Sequence, residues 1–433
     1  MKQAIRQAVL DWNPWITEDF PLELAGVSRD YHLLPYLEVP EIKIIAGARR
    51  VGKSTLLYQM IHHLIATKRH KKNILYLNFE DEVLKTYSLT DIVQTHLEYA
   101  SIDYLFVDEI QNCSDWVSFV RKAHDRHEIA QIWVSGSNSS LIQQEYATLL
   151  TGRNLSIHIE PLSFHEFLSF NGVNISTLPT TKKQEVQLHK LFSEFLEQGG
   201  FPAVVRRHVL KKELLLNYFE DFIYKDIASR HDVNVEKVKD LAIYLATNAT
   251  KIFSYRKIAS ALNCHVNTVT DYLNYLKQCF LFEELYKFDY SLKKQFSNEK
   301  KIYCIDTGLA SAVSFRFSED KGRLLENLVH RELRRRRHEI YFHKGKYECD
   351  FLIKQGLEIT EAIQVCFSMD DPQTKKRELN GLLDALKTYQ LKQGVILTFE
   401  ESGEEHIIID NVTYTLQIQP VWQWLLSKYA PNI

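Results

Sequence analysis

The chain has 433 residues and a formal charge of −2, and a composition of 45% hydrophobic and 25% charged residues is that of a folded globular protein rather than a disordered one. No apolar run approaches the roughly 18 residues of a membrane span, and the opening MKQAIRQAVLDW lacks a signal-peptide core, so a cytoplasmic protein with no membrane partner is expected. The six cysteines stand singly without C-x-x-C spacing, which argues for reduced core thiols and against a structural zinc.

In the first 40 residues, Trp12, Trp15 and Tyr31 lie among helical and turn signals broken by Pro14, Pro21, Pro35 and Pro40, which predicts a helical lead-in. From Ile42 to Leu57 the sequence IKIIAGARRVGKSTLL joins an apolar strand to a G-x-x-x-x-G-K-S loop and then to a helix over Lys53 to Ala66. Leu56, Leu57, Met60, Ile61, Leu64 and Ile65 give that helix a buried stripe. The segment Gly47, Ala48, Arg49, Arg50, Val51, Gly52, Lys53, Ser54 and Thr55 reads as a phosphate cradle. Its glycines let successive N–H groups face a β-phosphate, and the positive end of the helix adds to them. Lys53 is expected to reach the β- and γ-phosphates of ATP, and Ser54 to ligate Mg²⁺.

A second strand over Asn73 to Phe79 and a third over Asp103 to Val107 follow, the third closing on Asp108-Glu109. Asp108 is the expected Mg²⁺ partner, through water, and Glu109 the group that polarises an attacking water. The strand interposed between loop and acid pair groups the chain with P-loop proteins whose catalytic glutamate adjoins the metal aspartate, not with small kinases or GTPases. A fourth strand, Ile132 to Ser135, leads into Gly136-Ser137-Asn138. Asn138 is the expected γ-phosphate sensor, with Ser137 second and a ligand-free turn as the alternative. Arg153, ahead of a fifth strand over Leu155 to Glu160, is either an arginine finger towards a neighbouring subunit of a homo-oligomer or an ion-paired surface group. Five strands alternating with helices predict a parallel, doubly wound α/β sheet with its ligand beyond the carboxyl ends of the strands.

GARRVGKST, FVDEIQNCSDW, SGSNSSLI, the TGR before PLSFHEF, and the later EQGGFP together resemble the prokaryotic AAA-type ATPases that carry a C-terminal restriction-endonuclease-like domain. The resemblance covers most of the chain. It implies a P-loop AAA-type core, and ATP binding at Gly47, Gly52, Lys53, Ser54, Asp108 and Glu109. The expected organisation is a lead-in over 1–40, the ATPase core over 41–175, a helical lid over 176–250, a winged helix-turn-helix over 251–310 and a nuclease-like α/β domain over 311–433.

Within the lid segment, helices over Leu214 to Tyr224 and Val235 to Ala249 are preceded by Gly199-Gly200-Phe201-Pro202. That turn resembles the glycine-x-proline element with which regulatory AAA ATPases close a lid over adenine; a plain helix-terminating turn is the alternative. Tyr255 to Leu262 and Asn267 to Cys279 then read as a helix-turn-helix, with Asn267, Thr268, Thr270 and Asp271 at its exposed end. Phe282 to Phe288 and Lys300 to Ile305 form a two-stranded wing, with Lys293, Lys294, Lys300 and Lys301 placed for phosphate contact. Lys287 to Lys346 holds fifteen Lys or Arg against eight Asp or Glu, a net of about +7, which makes DNA the expected partner. A protein partner for the winged helix is the alternative.

In the last domain a helix from Leu324 to Arg337 and strands over Tyr341 to Phe342, Glu348 to Ile353 and Ala362 to Cys366 look like the PD-(D/E)xK nucleases. Glu326 and Asp350 match the first two acidic positions, but Gln364 and Cys366 stand where that pattern has an acid and a lysine. An amide is a poorer ligand for a hard metal, and a thiol supplies no ammonium, so nuclease activity is expected to be lost with the fold retained. Arg334 to Arg337 are read as either a nucleic-acid contact or a solvated face, and Trp422 and Trp424 as packing for this domain. The expected function is an ATP-binding and ATP-hydrolysing switch that couples nucleotide state to DNA binding. A regulatory switch that contacts protein, or an active ATP-dependent nuclease, are the alternatives.

Overall fold

All five residues of β1 (Ile42–Ala46) are buried, as a strand covered on both faces requires. β1 is an interior strand of a sheet completed by β2 (Ile74–Asn78), β3 (Tyr104–Asp108), β4 (Gln131–Gly136) and β5 (Asn154–His158), in the order β2-β3-β4-β1-β5. Every pairing is parallel. Lys43 is the one charged residue inside β1. Its buried ammonium donates to Gln131 Oε1 and Val39 O, lies 5.7 Å from the Trp133 ring, and is lowered by burial to about 8. Ile42, Ile44, Leu75, Leu77, Leu105, Val107, Ile132 and Val134 form the core of one face. The Lys2–Trp12 helix closes that core with Ile5, Ala8 and Val9. Behind the helix, Asn13 accepts from Tyr76 N at 2.7 Å and donates to Tyr76 O at 2.8 Å, fastening the lead-in to β2.

The computed structural model describes residues 2–139, 150–173, 181–314 and 320–427. The chain divides at Glu160 into two compact units, the five-stranded sheet belonging to the first. The expected boundary at residues 175 and 176 lies outside the described residues.

The second unit opens with the helix Phe164–Phe170 and continues with helices Lys182–Gln198 and Lys211–Asp221, the latter running on as a π-helical turn over Phe222–Ala228, and then Val235–Thr247. Helices Tyr255–Ala261 and Val266–Gln278 lie in the chain between β6 (Ile252–Phe253) and β7 (Phe282–Tyr286), which with β8 (Lys300–Cys304) form an antiparallel sheet in the order β6-β8-β7. The Lys321–Arg335 helix precedes a mixed sheet in the order β13-β14-β12-β11-β10-β9. Its strands are β9 (Glu339–Lys344), β10 (Glu348–Gln355), β11 (Glu358–Val365), β12 (Gln393–Thr398), β13 (Gly403–Ile409) and β14 (Val412–Pro420). The Pro372–Thr388 helix packs on this sheet through Leu382, Leu383, Ala385 and Leu386, while Trp422 and Trp424 are buried as expected.

Two expectations change. Lys293 and Lys294 lie on a short helix, Leu292–Ser297, between β7 and β8 and are exposed, but Lys300 and Lys301 turn inward. Lys300 sits between the Tyr255 and Tyr286 rings, 3.4 Å from Glu284, and Lys301 is 2% exposed, so neither is free for phosphate. Of the arginines at the end of the Lys321–Arg335 helix, Arg335 donates to Pro161 O and Arg336 holds Glu332 and Trp424 O, while Arg334 and Arg337 are exposed, Arg334 pairing with Glu283 at 2.6 Å. Much of the +7 segment is therefore spent inside the fold. The Gly-Gly turn is set by close packing. A Cβ on Gly199, whose φ is +75°, would fall 2.0 Å from an Asp306 carboxylate oxygen, and that carboxylate accepts from Gly200 N at 2.6 Å.

Candidate functional site

β1 ends at Ala46, where the chain turns so tightly that a Cβ on Gly47 would lie 2.2 Å from Ile159 O. Gly52, with φ of +99°, ends the loop, and Lys53 is the first residue of the Lys53–Ala66 helix. The loop amides thus precede a helix N-terminus, where backbone N–H groups and the dipole favour an anion. The loop is held from outside by Arg29, whose guanidinium donates to Val51 O at 2.7 Å and to Glu160 O at 2.9 Å.

The Lys53 ammonium is buried. It donates to Gly47 O at 3.1 Å and Ala48 O at 3.0 Å and lies 3.8 Å from Glu109. β3 carries Asp108 to the carboxyl end of the sheet beside the loop, and Asp108 is 1% exposed. The Ser54 and Ser135 hydroxyls hydrogen-bond its carboxylate, and Tyr76 donates to its Oδ2 at 2.9 Å. Ser54 and Asp108 therefore present hard oxygen donors at one point, a donor set that fits Mg²⁺.

Glu109 follows in the left-handed region, with φ of +51°, a conformation a non-glycine residue adopts at a cost and one common where a side chain must be aimed. Gln111 donates to its Oε2 and lies 3.3 Å from the Ser137 hydroxyl. Burial pushes both acids up. For Asp108 burial prevails, with the Glu109 charge adding to it, whereas Lys53 and Arg49 outweigh burial at Glu109 and hold it below the ordinary carboxylate value. The environment thus separates the two, favouring the charged form of Glu109 and disfavouring that of Asp108.

Lys53, Ser54, Asp108 and Glu109 come together as the spacing required. Asn138 is buried just beyond the end of β4, two residues after Gly136, on the same side of the sheet. Arg153 is elsewhere: its carbonyl accepts from Ile42 N at the start of β1, the opposite end of the sheet, and its guanidinium pairs with Asp125 at 2.6 Å. Sequence reasoning missed Tyr76, Ser135 and Arg29, which reach the site from separate elements. It also missed Gln111, although two residues after Glu109 is close enough to have marked it.

A second cluster of titratable groups occupies a cavity of about 680 Å³ in the other unit, where Lys301 meets Glu326, Glu348 and Asp350. Burial and the Asp350 charge raise Glu326 to about 7.

Residues 39–168 match the AAA domain family, and residues 189–320 match a domain of unknown function, DUF8612. An uncharacterized protein of Methanocaldococcus jannaschii is 35% identical over 406 residues, covering 89% of this chain and 88% of that protein. An uncharacterized protein of Haemophilus influenzae is 31% identical over 382 residues, covering 84% and 92%. Among solved structures, the Aeropyrum pernix ORC1 protein in complex with DNA overlaps 69% of this chain and 95% of that one, at 11% identity and a TM-score of 0.32, too loosely to place any residue.

Proposed function

This chain belongs to the family of those Methanocaldococcus jannaschii and Haemophilus influenzae proteins and carries an AAA domain, and from that premise we propose that it binds and hydrolyses ATP and couples nucleotide state to DNA binding. The observation that carries the reading is the convergence of Lys53, Ser54, Asp108 and Glu109 at the carboxyl ends of β1 and β3. The amides of Gly47 to Ser54 receive the β-phosphate, and the Lys53 ammonium, leaving its carbonyl partners, meets the β- and γ-oxygens. Ser54 and Asp108 are the residues that hold Mg²⁺, which when bound offsets phosphate charge. Ionised Glu109, oriented by Gln111, accepts the proton of the attacking water, and Asn138 contacts the γ-phosphate. A role for Arg153 in this chemistry requires a second copy of the chain.

The DNA part of the reading rests on the helix pair Tyr255–Ala261 and Val266–Gln278 with the β7–β8 hairpin, which we take as a winged helix. Asn267 and Asp271 are exposed at the start of the second helix, and Lys293 and Lys294 are exposed on the segment joining the two strands. The C-terminal mixed sheet with Glu326, Asp350 and Gln364 is taken as a nuclease-like domain without cleavage activity. The test of the ATPase reading is Glu109→Gln. ATP affinity should be retained while turnover falls by about 10²–10⁴-fold; turnover equal to that of the unaltered protein would remove Glu109 from the mechanism.

A further inference from the structure

Lys301 lines the cavity in the second unit, and strand alternation put it there. On β8, Lys300 points to Glu284, and its neighbour Lys301 must take the opposite face, towards the Lys321–Arg335 helix and β10. The ammonium lies 3.0 Å from Glu326 Oε1, 2.8 Å from Glu348 Oε1 and 2.9 Å from Asp350 Oδ1. Two of its N–H groups donate to Glu326 and Asp350, and Glu348 adds an ion pair. Burial alone would lower the pKa of Lys301, but the surrounding acids outweigh it and raise it well above the ordinary lysine value.

The protein holds these carboxylates further. Tyr303 donates to the same Glu326 Oε1 at 2.7 Å, Val365 N donates to Asp350 Oδ2 at 3.0 Å, and Gln364 bridges Asp350 N and Glu378. Arg377 neutralises Glu378 at 2.5 Å. Carboxylates converging on one point form a donor set suited to a hard divalent cation, and in this protein a lysine nitrogen is at that point. Two carboxylates buried together need either a proton on one of them or a cation beside them, and Lys301 supplies the cation here.

We propose that the Lys301 ammonium is the built-in counter-ion of this cluster, occupying the place from which a divalent cation would bridge Glu326 and Asp350, so that the C-terminal sheet accepts such an ion only when Lys301 is removed. The consequence is a domain whose acidic centre is held together by β8 of the preceding sheet rather than by metal. This inference does not depend on the ATPase reading.

The experiment is Mn²⁺ binding by electron paramagnetic resonance on the full chain without nucleotide, with thermal unfolding in parallel. The unaltered protein should show no Mn²⁺ site that Asp350→Asn removes. Lys301→Ala should unfold at lower temperature and gain one site, at least about tenfold tighter than any in the unaltered protein, with its melting temperature raised by Mn²⁺. The double variant Lys301→Ala, Asp350→Asn should lose that site. A Mn²⁺ site in the unaltered protein that disappears in Asp350→Asn would overturn the proposal, as would a folded Lys301→Ala that gains none. Should Lys301→Ala not fold, the comparison of the unaltered protein with Asp350→Asn decides the question alone. Failure of the ATPase reading would appear instead as lost dependence on Lys53 and Glu109, which these variants leave intact.

Discussion

At the phosphate loop, each side chain works through a neighbour that the local sequence does not name. Lys53 and Glu109 face each other across 3.8 Å, and the ammonium is what keeps the glutamate ionised in a buried place. Asp108 is positioned by Tyr76, whose hydroxyl donates to Oδ2 at 2.9 Å. Tyr76→Phe should therefore weaken Mg²⁺-dependent turnover by about tenfold, the lower end of what losing a partner of a metal ligand costs. Metal-free nucleotide affinity should change far less, and an equal loss in both would make Tyr76 a packing residue only. The cradle was legible because its chemistry is written in consecutive residues. Tyr76, Ser135 and Arg29 were not, since each arrives from an element whose position only the folded sheet fixes. Lys301 had a signal that went unused. Two adjacent lysines on one strand must face opposite sides, so one of them had to enter the core.

Among the elements, the parallel sheet followed from apolar runs of strand length, and predicted strand ends fell close to the observed ones because a doubly covered strand has no polar face to confuse its limits. The hairpin of β7 and β8 was also legible, whereas the helix Leu292–Ser297 between them was not, since six residues carry too little period to read. Its exposed Lys293 and Lys294 remain as candidates for the phosphate contact that was expected of Lys300 and Lys301 as well. Neutralising Lys293 and Lys294 together should lower DNA affinity and reduce the slope of log affinity against log salt by about 2. An unchanged slope would assign this helix pair and hairpin to a protein partner. At the turn before the Pro202–Val205 helix, Gly199→Ala should destabilise the protein by at least about 1–3 kcal/mol from the backbone conformation alone. The collision of its Cβ with Asp306 adds to that cost, and a neutral result in urea unfolding would mean that the turn yields.

For the whole molecule, the parallel sheet and a later C-terminal sheet stand in the expected order, but the charge tally misled. The +7 between Lys287 and Lys346 counts residues without regard to partners, and Lys301, Arg331, Arg335 and Arg336 all spend their charge on internal acids or carbonyls. Coupling between nucleotide and DNA is the property no single part displays. ATP turnover should rise when duplex DNA is added, and that rise should vanish when Lys293 and Lys294 are neutralised while basal turnover stays. DNA-independent turnover would confine the protein to the ATPase role. Underneath every one of these expectations is nucleotide capture at the loop, which isothermal titration of Mg²⁺-ATP into the unaltered protein and Lys53→Ala measures directly. The unaltered protein should bind one nucleotide per chain, with Lys53→Ala weaker by on the order of 100-fold or more; equal affinity in the two proteins would contradict the assignment of the site.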